Sequence, residues 1–170
     1  MRTLFELDSK DYNIGGKIFS RPSVRAIIIK NGKIAMVHSV MYNYFKFPGG
    51  GIEEGETMTE ALLRETLEEV GLIVIPESIK EYGLVHRAQK GKKEDVFVQD
   101  NYYYTCSTKD EIVPQKLDGY EEREHFTLKF VDPHEAIKVN REMDHGPKDK
   151  IMVEREARVL ETLISEGYFK

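Results

Sequence analysis

The chain has 170 residues, of which 40% are hydrophobic and 32% charged, a balance typical of one globular domain, which we expect over residues 1–170. Acidic residues outnumber basic ones 30 to 25, and this net charge of −5 argues against a protein that holds nucleic acid through its overall charge. The chain has one cysteine, no apolar run near the ~20 residues that span a bilayer, and a first segment without the apolar core of a secretory signal, which together predict a cytoplasmic protein.

The first part of the chain predicts strands. A strand extension occupies about residues 1–20. Two apolar, β-branched runs at 23–30 and 33–38 then flank Asn31-Gly32. This pair favours a β-hairpin, because a type I′ turn needs positive φ at both central positions. A glycine-rich loop follows over 49–51.

A helix is predicted over residues 57–70. Thr57 and Glu60 match a capping box at its start, and Gly71 is a typical C-terminal stop. Its apolar residues recur at helical spacing and form a stripe that we expect to face the core: Leu63, Leu67 and Val70.

The second half of the chain predicts strands again, and then helices. Four segments rich in Val, Ile, Tyr or Phe are the predicted strands: 72–75, 80–87, 95–106 and 125–131. A short helix over 133–139 and a C-terminal helix over about 149–166 follow. Strands and helices mix without regular alternation, which favours an α+β or α/β sandwich over a doubly wound sheet.

The first helix carries a cluster of acids. Glu65, Glu68 and Glu69 are surface neighbours at i, i+3 and i+4, where each like-charge pair costs about 0.2–0.5 kcal/mol. Glu68 and Glu69 also lie in the last turn, beside the negative end of the helix dipole. A solvated acidic face is the simpler interpretation, but a helix selected only for solubility would carry Lys or Arg there. A divalent cation among the carboxylates explains the pattern better, since Mg²⁺ prefers oxygen ligands.

Residues 49–72 resemble the Nudix box, the signature of hydrolases that cleave nucleoside diphosphates linked to another moiety. The positions that carry the resemblance keep the family spacing: Gly50, Glu56, Arg64, Glu65, Glu68, Glu69, Gly71 and Leu72. One position departs from the pattern, because Thr66 stands where the family usually has an aliphatic residue.

The resemblance implies an α/β/α sandwich with a mixed central sheet, the box helix and a C-terminal helix. It also implies that the box binds Mg²⁺, or Mn²⁺, through the carboxylates of Glu65, Glu68 and Glu69. A backbone carbonyl of Gly49 or Gly50 would join them, and Gly50 is the position that we assign.

Further roles are implied by the same resemblance. Arg64 and Glu56 correspond to a structural ion pair of the family, with a plain surface salt bridge as the alternative. The catalytic base is a box glutamate, Glu65 here, or an acid on a distant loop. The stretch GYEEREHF supplies three such acids, of which we expect at least one to contact a metal and name Glu122: Glu121, Glu122 and Glu124. Loop solubility is the alternative for this group. The residues assigned to catalysis are Glu56, Arg64, Glu65, Glu68 and Glu69.

Substrate recognition is expected outside the box. Arg25 and Lys46 are predicted to bind phosphate, with solvated surface as the alternative. Tyr44 is predicted to stack on a base, with packing in the core as the alternative. The basic run over residues 86–93 is interpreted as a hairpin tip, although it could also grip a polyphosphate or an RNA tail.

The expected activity is Mg²⁺-dependent cleavage of a pyrophosphate bond in a nucleotide. The signatures of several subgroups are absent, which leaves a resemblance to the mutator-suppressing type of nucleoside triphosphate pyrophosphohydrolase. An RNA 5′-end pyrophosphohydrolase and a non-catalytic sensor of nucleotide sugars are the alternatives, and the complete set of box glutamates argues against the sensor. The expected partner is a small nucleotide or polyphosphate, with neither a membrane nor an extended nucleic acid, and the expected state is a monomer or homodimer.

Overall fold

The computed structural model describes residues 1–170 as twelve strands and four α-helices. The strands are β1 (Thr3–Asp8), β2 (Ile18–Ser20), β3 (Ser23–Ile27), β4 (Ile29–Lys30), β5 (Lys33–Ser39), β6 (Tyr44–Lys46), β7 (Gly49–Gly51), β8 (Leu72–Val74), β9 (Lys80–Lys90), β10 (Val96–Thr105), β11 (Thr108–Ile112) and β12 (Phe126–Val131). The helices are α1 (Met58–Val70), α2 (Gly119–Arg123), α3 (Pro133–Glu142) and α4 (Lys150–Ser165). None of these helices is long and apolar enough to cross a membrane.

The strands form three sheets. The largest has six strands in the order β1-β9-β10-β3-β7, with β2 paired to β10 beside β3. Strands β9 and β10 are antiparallel, whereas β1 is parallel to β9 and β3 is parallel to β10, so this sheet is mixed. Four antiparallel strands form the second sheet, in which β5 pairs with β12, β4 and β6. Strands β8 and β11 form the third.

The predicted hairpin at Asn31-Gly32 is confirmed. It joins β4 to β5, and both central residues have positive φ, 52° at Asn31 and 72° at Gly32. Strand β5 is buried on both faces, so its alternate side chains enter two different apolar clusters. Ile34 and Met36 pack in the cluster beneath α3 and α4, whereas Ala35 and Val37 pack in the cluster beneath α1.

These two clusters lie on opposite sides of the central strands. One contains Leu160 and Leu163 of α4, and the other contains Ala61 and Leu62 of α1. The α+β class and the α/β/α sandwich are therefore confirmed.

The predicted apolar stripe of α1 is wrong for two of its three residues, since only Val70 is buried and Leu63 is half-buried outside both clusters. Leu67 is 40% exposed, and the residues that α1 buries are Ala61, Leu62, Thr66, Glu69 and Val70. The helix packs on β7 with Glu69 facing inward, where Lys46 and the Gly49 N–H donate hydrogen bonds to its carboxylate.

Candidate active site

The start and end of α1 fix its acids in place. The Thr57 side chain accepts a hydrogen bond from the Glu60 backbone N–H at 3.2 Å, and the Glu60 carboxylate accepts one from the Thr57 N–H at 2.8 Å. This is the predicted capping box. Gly71 ends the helix in a left-handed conformation and donates its N–H to the Leu67 carbonyl. The predicted helix is thus confirmed.

Arg64 connects the helix to the loop before it. Its Nε and Nη2 donate to the two carboxylate oxygens of Glu56 at 2.7 and 2.9 Å, and Nη2 also donates to the Gly51 carbonyl at 3.1 Å. Hydrogen bonds from Arg64 lower the pKa of Glu56 to about 2. Nη1 donates to Glu65 Oε1 at 2.8 Å and lies 3.5 Å from a carboxylate oxygen of Glu68. Arg64 therefore orients Glu65 toward the interior of the site.

Glu69 is 1% exposed and pairs with Lys46. Lys46 Nζ donates to Glu69 Oε1 at 2.6 Å, and the Gly49 N–H donates to Oε2 at 3.0 Å. Burial raises the pKa of the Glu69 carboxyl above its usual range, while the Lys46 ammonium acts in the opposite direction. The carboxylate thus links the helix to both ends of the turn between β6 and β7.

The glycines of this turn allow a close approach that no other residue allows. Gly49 has a φ of +147°, and a Cβ there would lie 1.9 Å from the Val24 carbonyl oxygen. A Cβ at Gly50 would lie 2.6 Å from the carboxylate atoms of Glu65. The backbone of Gly50 therefore faces the acidic site directly.

A third carboxylate joins Glu65 and Glu69, and it belongs to Glu121 rather than to Glu122. One oxygen from each of Glu65, Glu69 and Glu121 lies within 4.8 Å of the others. Burial, and then the charge of Glu69, raise the pKa of Glu121 to about 6. Glu122, the acid predicted for this role, is exposed to solvent and lies outside the cluster.

The start of α2 fixes the position of the Glu121 side chain. Asp118 and Glu121 form a capping box, in which Glu121 Oε2 accepts the Asp118 N–H at 3.2 Å. The D-x-x-E spacing of such a box fixes the glutamate in the first turn of the helix.

Glu124, the third acid of this segment, lies outside the carboxylate cluster. Its side chain is buried, and Oε1 accepts hydrogen bonds from Ser39 Oγ and from the Tyr44 hydroxyl, both at 2.8 Å. Lys148 pairs with the other carboxylate oxygen. Glu124 therefore anchors the chain before β12 to β5 and β6.

The structure does not support base stacking on Tyr44, since this side chain is only 1% exposed. Its ring packs edge-on against Phe126 in the core, and its hydroxyl donates to Glu124. Tyr44 lies in the core because all three residues of β6 are buried, on both faces of the strand.

The other two residues predicted to bind substrate border the site but are buried. Arg25 Nη1 and Lys46 Nζ both donate to the Gly49 carbonyl, at 2.9 and 3.1 Å respectively. Neither is the solvated surface residue of the alternative interpretation. Both support the glycine turn from beneath.

The site opens into a cleft of about 1720 Å³. Most residues that line it are polar, and basic side chains extend it beyond the acidic site: Arg21, Arg87, Lys90, Lys92 and Lys93. Phe19 and Phe97 also line the cleft, with ring centroids 5.9 Å apart. Burial and the neighbouring Arg155 lower the pKa of Arg87 to about 10. The cleft therefore combines the carboxylate cluster with a larger number of basic side chains, and it has further acids away from the cluster: Glu53, Glu94, Asp118 and Asp149.

This sandwich, with a capped acidic helix packed on a glycine turn, is the arrangement of the Nudix proteins. The family model of the NUDIX domain matches residues 19–154, and the chain belongs to the Nudix hydrolase family. Two solved structures are similar in fold at 17% identity. A NUDIX hydrolase from Nitrosomonas europaea has a TM-score of 0.60 over 88% of this chain and 89% of its own. A MutT protein from Bacillus halodurans has a TM-score of 0.57 over 79% and 80%.

The curated relatives match a shorter segment. The RNA pyrophosphohydrolase of Acinetobacter baylyi is 43% identical over 61 residues, which is 35% of this chain and 36% of that protein. The RNA pyrophosphohydrolase of Baumannia cicadellinicola is 43% identical over 53 residues, 31% of this chain and 33% of that protein. The chain thus spans about a third of the length of these relatives.

Proposed function

We propose that this chain is a Mg²⁺-dependent hydrolase that cleaves a pyrophosphate bond in a nucleoside diphosphate derivative, with a nucleoside triphosphate as the principal substrate. The observation that carries the proposal is the convergence of carboxylate oxygens from Glu65, Glu69 and Glu121 within 4.8 Å, in a cleft that more basic than acidic side chains line. Carboxylates repel one another at this distance, and a divalent cation relieves that repulsion.

The donor atoms of the cluster fit a hard cation. All three side chains offer oxygen, which Mg²⁺ and Mn²⁺ prefer, and no thiol or imidazole belongs to the cluster. The Gly50 backbone, which approaches Glu65 without an intervening Cβ, gives the cation access to the turn. When bound, a divalent cation would acidify a water molecule and neutralise charge on phosphate oxygens. In this proposal Glu68, half-buried beside Arg64, holds water at the edge of the cluster.

The remaining residues position these carboxylates. Arg64 and Glu56 fix the helix to the turn and orient Glu65. A base is needed to take a proton from the attacking water, and either Glu65 or Glu121 has a carboxylate in the cluster for this purpose. Replacing each by glutamine distinguishes them, because only loss of the base removes the acidic limb of the pH–rate profile.

Hydrolysis of a nucleotide panel tests the proposal. Nucleoside triphosphates, dinucleoside polyphosphates and nucleotide sugars are each incubated with Mg²⁺, and the products are identified. We expect turnover that stops with a chelator and falls about 100-fold or more in Glu69→Gln. Glu122→Gln, an exposed acid beside the cluster, is the matched control and should retain the wild-type rate. Full activity of Glu69→Gln would refute the metal assignment.

A second candidate is removal of pyrophosphate from the 5′ end of RNA. Two observations favour it. The curated relatives that match about a third of the chain are named RNA pyrophosphohydrolases. The cleft of about 1720 Å³ also exceeds the 300–1,000 Å³ that usually hold a small ligand, and its extension combines lysines with the Phe19–Phe97 pair. Basic and aromatic side chains together are typical of sites for single strands.

The salt dependence of the reaction separates the two candidates. A 5′-triphosphorylated oligonucleotide would contact Lys92 and Lys93, so kcat/KM should fall steeply with salt, and less steeply in the double variant Lys92→Gln/Lys93→Gln. A mononucleotide should show a weaker dependence on salt and no change of that dependence in the double variant. A cytoplasmic location and a monomeric or homodimeric state stay predictions from the sequence.

A further inference from the structure

The Lys46 ammonium occupies a position that a metal ion would also favour. Its side chain is 8% exposed and that of Glu69 is 2% exposed. Nζ donates to Glu69 Oε1 at 2.6 Å and to the Gly49 carbonyl at 3.1 Å, and it lies 5.3 Å from the centroid of the Phe126 ring. One carboxylate, one backbone carbonyl and one aromatic face thus surround the buried Lys46 ammonium.

The two residues that accept hydrogen bonds from Lys46 border the carboxylate cluster. Glu69 belongs to it, and Gly49 precedes the residue whose backbone faces Glu65. We infer that Lys46 is an internal counter-cation that holds Glu69 while the site is free of metal, and that a divalent cation displaces its ammonium when it binds. This inference rests on the metal requirement of the proposed function and adds a competitor for the metal within the chain itself.

The physical reason lies in the burial of Glu69. An unpaired carboxylate inside a protein is strongly unfavourable, so a metal-free site needs another cation. Lysine suits this role better than arginine, because its ammonium is a compact charge on a flexible four-carbon stem. Arg25 still donates to the Gly49 carbonyl at 2.9 Å and would keep the turn in place after Lys46 moves.

Glu56 and Glu65, the carboxylates on the outer side of α1, do not need a counter-cation that a metal must displace. Arg64 pairs with Glu56 and Glu65 through separate nitrogens at 2.7–2.8 Å, and Glu56 remains its partner whatever Glu65 binds. The Lys46 ammonium has only one carboxylate partner. Metal binding therefore costs the site one ion pair, and that cost lowers the apparent metal affinity.

Metal binding without substrate tests this inference. Mg²⁺ is titrated calorimetrically into the wild-type protein, Lys46→Met and the control Lys80→Met, which removes an exposed lysine of β9. We expect Lys46→Met to bind Mg²⁺ about tenfold more tightly than the other two, and to show a larger rise in melting temperature with Mg²⁺ despite a lower melting temperature without it. Equal or weaker binding by Lys46→Met would overturn the inference.

A second measurement uses the unaltered protein, so it holds even where Lys46→Met does not fold without metal. Lysines are reductively methylated with and without Mg²⁺, and peptides are quantified by mass spectrometry. The Lys46 peptide should react several-fold faster with Mg²⁺, whereas the Lys80 peptide should not change. An unchanged Lys46 rate would refute displacement. Displacement without any hydrolysis would refute the proposed function alone, and hydrolysis without displacement would refute this inference alone.

Discussion

Replacing Glu121 by glutamine is expected to stabilise the metal-free protein at neutral and alkaline pH. Burial, and then the charge of Glu69, raise the pKa of Glu121 from its ordinary value of 4.5 to about 6. The charged form of Glu121 is therefore unfavourable in the folded state. Glutamine keeps the shape of the side chain and an oxygen that accepts the Asp118 N–H, but it removes this charge.

The sign and size of the effect follow from proton linkage. A carboxyl with a raised pKa binds its proton more tightly in the folded protein than in the unfolded chain. Its contribution to stability is present below about pH 4.5 and is lost as the pH rises through about 6. The shift corresponds to about 2 kcal/mol, and because the side chain is partly exposed, solvent screening reduces this to about 1 kcal/mol.

Urea unfolding in the presence of a chelator measures this difference at about pH 4 and pH 8. At pH 8 we expect Glu121→Gln to be more stable than the wild type by about 1 kcal/mol, and at pH 4 we expect the two to be equal within error. Glu122→Gln is the matched control and should differ by no more than about 0.5 kcal/mol at either pH. If Glu121→Gln is less stable than the wild type at pH 8, the reasoning is wrong.

Three further substitutions test other parts of the site. Thr66→Val should raise the free energy of unfolding by about 1 kcal/mol, because Oγ1 of this buried residue has no hydrogen-bond partner; a loss of stability in urea would contradict this. Thr57→Ala should lower the melting temperature and reduce the free energy of unfolding by about 1 kcal/mol, because the Glu60 N–H loses the Thr57 side-chain oxygen that caps the helix. Gly50→Ala should reduce kcat about 100-fold, because the new Cβ would lie 2.6 Å from the Glu65 carboxylate. Its circular dichroism spectrum should be unchanged, and wild-type kinetics would refute the close approach.

Local signals in the sequence were sufficient for the parts of the site that are built locally. The Asn31-Gly32 turn and the capping box of Thr57 depend on residues three or fewer positions apart, and the structure has both. The Arg64–Glu56 pair spans eight positions and was reached only through the family resemblance.

The parts that depend on distant contacts were not accessible in this way. The parallel pairing of β1 with β9 joins segments about 80 positions apart, and no local pattern encodes it. The choice of Glu121 over Glu122 depends on which side of the short helix α2 faces the cluster. For Lys46 the sequence predicts phosphate binding, whereas the structure pairs its ammonium with the buried Glu69, a contact that no local pattern indicates.

Two cations pair with the acids of the box segment, one on each side of α1. Residues 49–72 contain seven acids and one base. That base, Arg64, serves the outer side of α1, where Glu56 and Glu65 are only partly buried. The inner side is served by Lys46, which lies outside the segment. Because Lys46 pairs with its carboxylate, Glu69 can be buried on α1, whereas Leu67 is exposed. The acidic excess is also concentrated in this one segment, and under the proposed function a divalent cation in the cluster would offset part of it and leave the basic side chains of the cleft to attract a polyphosphate.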